Sequence, residues 1–187
     1  MIFPTFSAST RRHFLGLALL TLLVSVSGVR AEDPATFEVA DFTFTRPADW
    51  KWVPINPGMR KAQLKLGGTD AASSADVTFF YFTGAGGDPE ANSKRWLGQF
   101  ESKPGAEKVE KKEFGKTKVT FVTTEGTFAS GMPGQATTPM ANFALLGAIL
   151  EGEEGSVFVK MTGPAALVKD ARGKFDEFIA AAAKSRK

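Results

Sequence analysis

The chain holds 187 residues, with 23 lysines and arginines against 20 acidic residues, one histidine and no cysteine. The absence of cysteine excludes disulfides, thiolate catalysis and thiolate metal sites. The one histidine, His13, lies close to the amino terminus, so the rest of the chain cannot supply a Ser-His-Asp or Cys-His arrangement.

The first 31 residues have the pattern of an export signal. Arg11 and Arg12 precede an apolar, charge-free run from Leu15 to Gly28, and small residues lead to a cleavage position at Ala31. The run holds roughly 14 residues, fewer than the ~20 of a membrane-spanning helix. We therefore predict a cleaved signal over 1–31 and a periplasmic or otherwise extracytoplasmic protein. The twin arginine favours twin-arginine export, with a general secretory signal as the alternative.

Cleavage would change the charge balance of the protein. Arg11, Arg12 and Arg30 would leave without any acidic residue, so the remaining basic residues would equal the 20 acidic ones. Proteins that neutralise nucleic-acid phosphates carry a basic surplus. We therefore expect a soluble product over 32–187 that is one domain, binds no nucleic acid and has no membrane span.

The first half of the predicted domain is rich in strand patterns. Apolar residues alternate over 37–45 and change phase at Ala40 and Asp41, which predicts a bulge or a tight hairpin. A strand is predicted over 62–66. Residues 75–82 are apolar on both sides, which is typical of a central strand covered on both faces.

Helices alternate with further strands in the second half. Asp88 and Pro89 begin a predicted helix that runs to about Phe100. A hairpin is predicted over 109–128, a loop over 126–141, a second hairpin over 143–162 and a final helix from Pro164. This order predicts an α+β fold, in which helices flank a mostly antiparallel central sheet.

The layout resembles one known fold family. Arg46-Pro47 leads to Trp50 after an opening hairpin, the central helix carries a Trp, and a Phe-x-x-Phe helix follows the closing hairpin. Over most of 37–183 this is similar to the PsbP-like family. The resemblance implies an α/β/α sandwich and a binding or accessory role without catalysis. It identifies no functional residue in this chain.

Two regions are candidates for contact with a partner or ligand. Trp50 and Trp52 would share one face of an extended stretch, as a core wall or as an exposed platform, and Arg60 lies nearby in sequence. The 126–141 loop carries almost no charge and is long enough to be either functional or a simple connector. The candidate contact residues in this loop are Met132, Pro133 and Gln135.

Other motifs predict no chemistry. The glycines at 84–87 lack P-loop or dinucleotide spacing, so we interpret them as a turn into a helix. Glu151, Glu153 and Glu154 are interpreted as a solvated hairpin tip and not as a calcium loop. We therefore predict no catalytic residue, cofactor or metal.

Three functions remain open from the sequence. The first is an exported binding or accessory protein that docks a protein partner of unknown identity. The second is a carrier of a small apolar ligand, favoured by 17 phenylalanines. The third is a hydrolase that uses carboxylates or lysine. A large apolar pocket would support the carrier, and two converging acids would support the hydrolase.

Overall fold

A computed structural model describes residue 1 and residues 33–56, 58–129 and 138–187. The unit described below is Glu32–Lys187. The predicted signal residues Arg11, Arg12 and Ala31 lie outside the described residues. The strands are β1 (Thr36–Val39), β2 (Phe42–Thr45), β3 (Lys51–Trp52), β4 (Arg60–Gly67), β5 (Ser74–Thr83), β6 (Phe100–Ser102), β7 (Lys108–Phe114), β8 (Thr117–Phe128), β9 (Met140–Glu151) and β10 (Gly155–Pro164), and the helices are α1 (Pro89–Leu97), α2 (Ala165–Asp170) and α3 (Arg172–Lys184).

An antiparallel sheet organises the described part of the chain. Its strands lie in the order β3-β4-β5-β10-β9-β8-β6, and β7 also pairs with β8. The β1–β2 hairpin forms a separate two-stranded sheet and has no strand pairing with the larger one. The α+β class is therefore confirmed: helices accompany a mostly antiparallel sheet.

One face of the sheet holds the larger core. The β1–β2 hairpin and helices α2 and α3 cover it, and their apolar side chains pack on alternate residues of the central strands. Phe44 and Phe79 are both buried there, with ring centroids 5.2 Å apart. Phe178 of α3 lies 5.3 Å from Phe44 and so joins the helix to the hairpin.

The other face carries a smaller core under α1. Trp96 of α1 packs on Phe158 of β10, with ring centroids 6.0 Å apart. Gly147 of β9 lies directly beneath Trp96, so closely that a Cβ at this position would collide with the indole. A glycine here therefore allows the helix to approach the sheet.

The carboxyl-terminal residues pack on the β1–β2 hairpin. The Thr43 backbone N–H donates to Ser185 Oγ at 3.0 Å, and Lys187 Nζ lies 2.6 Å from a Glu38 carboxylate oxygen.

A cluster of ion pairs surrounds Glu125 of β8, which pairs with Lys103 at 2.8 Å and with Lys169 of α2 at 2.5 Å. These two lysines hold the pKa of Glu125 at about 2 by hydrogen bonding and by their charge.

Most predicted elements are confirmed. The opening hairpin turns at Ala40 and Asp41, and β5 is a central strand, paired with both β4 and β10. Helix α1 begins as expected, because the Asp88 carboxylate accepts from the Ala91 N–H at 2.7 Å. The hairpins β7–β8 and β9–β10 also form where the alternation placed them.

Three boundaries differ from the predictions. Helix α1 ends at Leu97, and Phe100 belongs to β6, where its ring lies 4.9 Å from that of Phe128. The predicted 126–141 loop is shorter, because Gly126 to Phe128 continue β8 and β9 begins at Met140. The final helix is divided at Ala171, although hydrogen bonds on both sides of this residue keep the helical path.

Candidate functional site

The two tryptophans proposed as a contact surface belong to the core. Trp50 is completely buried and packs on Phe178, with ring centroids 5.3 Å apart. Trp52 is half-buried, its ring 5.2 Å from that of Phe37. The core-wall alternative therefore holds at Trp50, which offers a ligand no surface.

The other candidates have different outcomes. Met132, Pro133 and Gln135 lie outside the described residues. Phe128 and Met140, on either side of that segment, line a pocket in the sheet face that carries α1, and Arg60 lines the same pocket. The structure thus brings Arg60 into a site, but a different one from the tryptophan platform.

This pocket, termed here the α1 pocket, has a volume of about 610 Å³. It lies beside α1 and is lined by residues of β4, β5 and β10. Its volume falls within the roughly 300–1,000 Å³ typical of small-molecule sites. Six aromatic side chains line it, of which Phe80 and Phe82 are half-buried and the other four are almost completely buried. The six are Phe80, Phe82, Trp96, Phe128, Phe143 and Phe158.

The aromatic wall is an ordered cluster. The Phe82 and Phe158 rings meet edge to face with centroids 5.5 Å apart, and the Phe128 and Phe143 rings are stacked at 6.1 Å. The alternation of β5, β9 and β10 places Phe82, Phe143 and Phe158 on the α1 side of the sheet, while the intervening residues enter the larger core. The wall is therefore a direct consequence of strands that are apolar on both faces.

Lys160 of β10 is the unusual member of this wall. Its ammonium lies over the Phe128 ring, 5.1 Å from the centroid, and donates a hydrogen bond to Gln99 Oε1. Burial lowers the pKa of Lys160 to about 8, and the charge of Arg95 acts in the same direction. None of the described acidic residues forms an ion pair with this ammonium.

Two arginines stand exposed at the rim of the α1 pocket. Arg95 of α1 donates to Asn92 Oδ1, and Arg60 of β4 donates to Gln63 Oε1 with its guanidinium 5.9 Å from the Phe80 centroid. Each arginine therefore donates a hydrogen bond to a neutral amide oxygen and not to a carboxylate. No ion pair to either arginine occurs within the described ranges.

Asp76 supplies a negative charge to the pocket lining, and it already has partners. One of its carboxylate oxygens lies 3.3 Å from Lys65 Nζ and accepts from Gln63 Nε2 at 3.0 Å. Lys65 therefore offsets the charge of Asp76. The described lining contains no other acidic residue, so Arg60, Arg95 and Lys160 have no matching negative charge there.

Sequence reasoning missed this site, although a signal was present. Lys160 is the one charged residue in the otherwise apolar run from Val157 to Met161. A lysine at the middle of a central strand, on the same side as Phe158 and Thr162, marks a buried cation. Gln99 and Arg95 could not be placed beside it, because some 60 residues separate them from β10.

No protein-family model matches this chain, and no curated protein matches it either. Within the residues that the structure describes, no helix is both long enough and apolar enough to cross a membrane. Those same residues bring together no group of three or more acidic side chains arranged to hold a metal ion.

Proposed function

We propose that this is an exported binding protein that carries a small apolar ligand in the α1 pocket and does not transform it chemically. The observation that carries the proposal is the aromatic wall of that pocket, which is about 610 Å³ in volume. Phe80 and Phe82 are only half-buried, and covering the part of their surface that meets water with an apolar ligand would be favourable.

The leader sequence supports export. Arg11 and Arg12 with the apolar run that follows are the support for twin-arginine transport, and Ala31 for the cleavage position. A carrier in the periplasm or outside the cell would shield an apolar molecule from water between its source and its destination.

The proposal is tested with Nile red, an uncharged apolar dye whose fluorescence rises on leaving water. Titration of the purified protein should give a saturable rise with one dye per chain. Thr162→Trp fills the pocket from β10 and should weaken binding by about tenfold or more, since the indole takes the space of the dye.

Thr45→Trp is the matched control, because it places the same side chain on the exposed end of β2. This variant should bind like the parent protein. A parent protein with no saturable binding, or a Thr162→Trp variant that binds equally well while melting normally, would remove the carrier proposal.

A PsbP-like fold is proposed alongside this function. Its support is the order of elements, with an opening hairpin before the Arg46-Pro47 step, α1 on one face of an antiparallel sheet, and α2 and α3 on the other. Members of that family bind partners, so the docking of a protein partner remains a second proposal. It would rest on Met132, Pro133 and Gln135, which lie outside the described residues.

A further inference from the structure

We propose that the ligand of the α1 pocket is an amphipathic carboxylate, whose anionic head binds Lys160 and whose apolar body lies along the aromatic wall. This inference rests on the proposed carrier function and narrows it to one chemical class.

Lys160 has hydrogen-bonding capacity to spare. An ammonium group has three N–H donors, and Gln99 Oε1 accepts from Lys160 as a neutral partner. Buried charges in proteins are as a rule paired with an opposite charge. Here the described acidic residues provide none, and Arg95 adds a like charge. A ligand carboxylate would supply both the acceptors and the missing charge.

The rim arginines extend the positive potential to the mouth of the pocket. Arg95 and Arg60 are exposed and bonded to amide oxygens, so neither must break an ion pair with a described acid to meet an anion. Asp76 competes little with a ligand anion for these arginines, because it is already paired with Lys65 at 3.3 Å. Such a mouth attracts anions and guides them towards Lys160.

The surroundings of Lys160 favour a carboxylate over a free inorganic anion. Phe128 lies against the ammonium at 5.1 Å, and Phe158 and Phe143 continue the wall away from it. A bare phosphate or sulfate could meet the ammonium but would leave the apolar side chains of the wall exposed to water. A carboxylate joined to an alkyl or aromatic body covers the rings while its head meets the cation.

The decisive comparison uses two ligands of equal chain length, dodecanoate and 1-dodecanol, in competition with Nile red at neutral pH. Dodecanoate should displace the dye from the parent protein about tenfold more effectively than dodecanol, as a charge-assisted hydrogen bond provides. Lys160→Met should reduce this preference by weakening dodecanoate binding and leaving dodecanol binding unchanged. Lys61→Met removes an exposed lysine of β4 and should leave the preference intact.

A second measurement does not depend on any substitution. In the parent protein the preference for dodecanoate should fall at alkaline pH, once the Lys160 amine is neutral, and the part that remains is the contribution of Arg60 and Arg95, which keep their charge. Equal binding of both ligands by the parent at neutral pH, or an unchanged preference in Lys160→Met, overturns the carboxylate inference while the carrier function stands. If neither ligand nor the dye binds, the carrier function itself fails.

Discussion

Replacement of Lys160 by methionine should stabilise the fold at neutral pH. In the folded protein the pKa of this lysine is lowered from 10.5 to about 8, because burial disfavours the charged form. The unfolded chain therefore binds the proton more tightly than the folded one. The loss of stability is complete below pH 8 and recovers as the pH rises from about 8 to 10.5.

The size of the effect follows from this shift. At 1.36 kcal/mol per pH unit, lowering the pKa from 10.5 to about 8 destabilises the folded protein by roughly 3 kcal/mol at pH 6. Methionine removes that loss and fills similar volume, but it also leaves Gln99 Oε1 without its donor, at a cost of about 1 kcal/mol. A net gain in the free energy of unfolding of about 2 kcal/mol is expected at pH 6.

Urea denaturation followed by circular dichroism measures this difference at pH 6, 9 and 11. The gain of Lys160→Met over the parent should shrink at pH 9. At pH 11 the lysine is almost entirely neutral in both states, so only the lost hydrogen bond to Gln99 remains and the variant should be about 1 kcal/mol less stable than the parent. Lys61→Met, on the exposed side of β4, should differ from the parent by less than about 0.5 kcal/mol throughout. A Lys160→Met variant that is less stable than the parent at pH 6, or a gain that ignores pH, would refute the reasoning.

Other perturbations test separate features. Gly147→Ala should lower the free energy of unfolding by about 1–3 kcal/mol because its Cβ collides with the α1 indole, whereas Gly173→Ala, in open space on α3, should raise it by about 0.5–1 kcal/mol; urea titration distinguishes the two signs. Glu125→Gln should destabilise the fold at pH 7, and the difference from the parent should fade as the pH falls from the ordinary range of a glutamate towards about 2, which acid denaturation monitors. Replacing Arg11 and Arg12 together by lysine should block export, as seen by cell fractionation, and normal export would remove the twin-arginine proposal.

The sheet was largely predictable because its signals are local. The change of phase at Ala40 predicted the first hairpin, and residues apolar on both sides predicted β5 as a central strand. The ends of elements were less accessible, because they depend on distant pairing. Phe100 leaves the helical pattern to pair with Phe128, and no local signal announces that partner.

The site escaped prediction for the same reason. Spacing placed Trp50 and Trp52 on one face, but only tertiary packing decides whether that face meets solvent or Phe178. The α1 pocket unites Arg60, Arg95 and Lys160 from β4, α1 and β10. Strand alternation could have marked Lys160 as inward-facing, but the position of α1 above it is a property of the whole fold.

The contact between Thr43 and Ser185 sets a limit on when the folding of this domain can be completed. The two residues are 142 positions apart, so the opening hairpin gains this support only after the chain has been synthesised as far as Ser185. Pairings of such long range make folding slow. The predicted signal at 1–31 would therefore emerge well before its cargo is folded. A route that accepts unfolded chains has that whole interval in which to capture this one, whereas a route that transports folded cargo must wait until α3 has docked. If residues 1–31 are the export signal that we propose, the rate at which this contact closes would influence the export route together with Arg11 and Arg12.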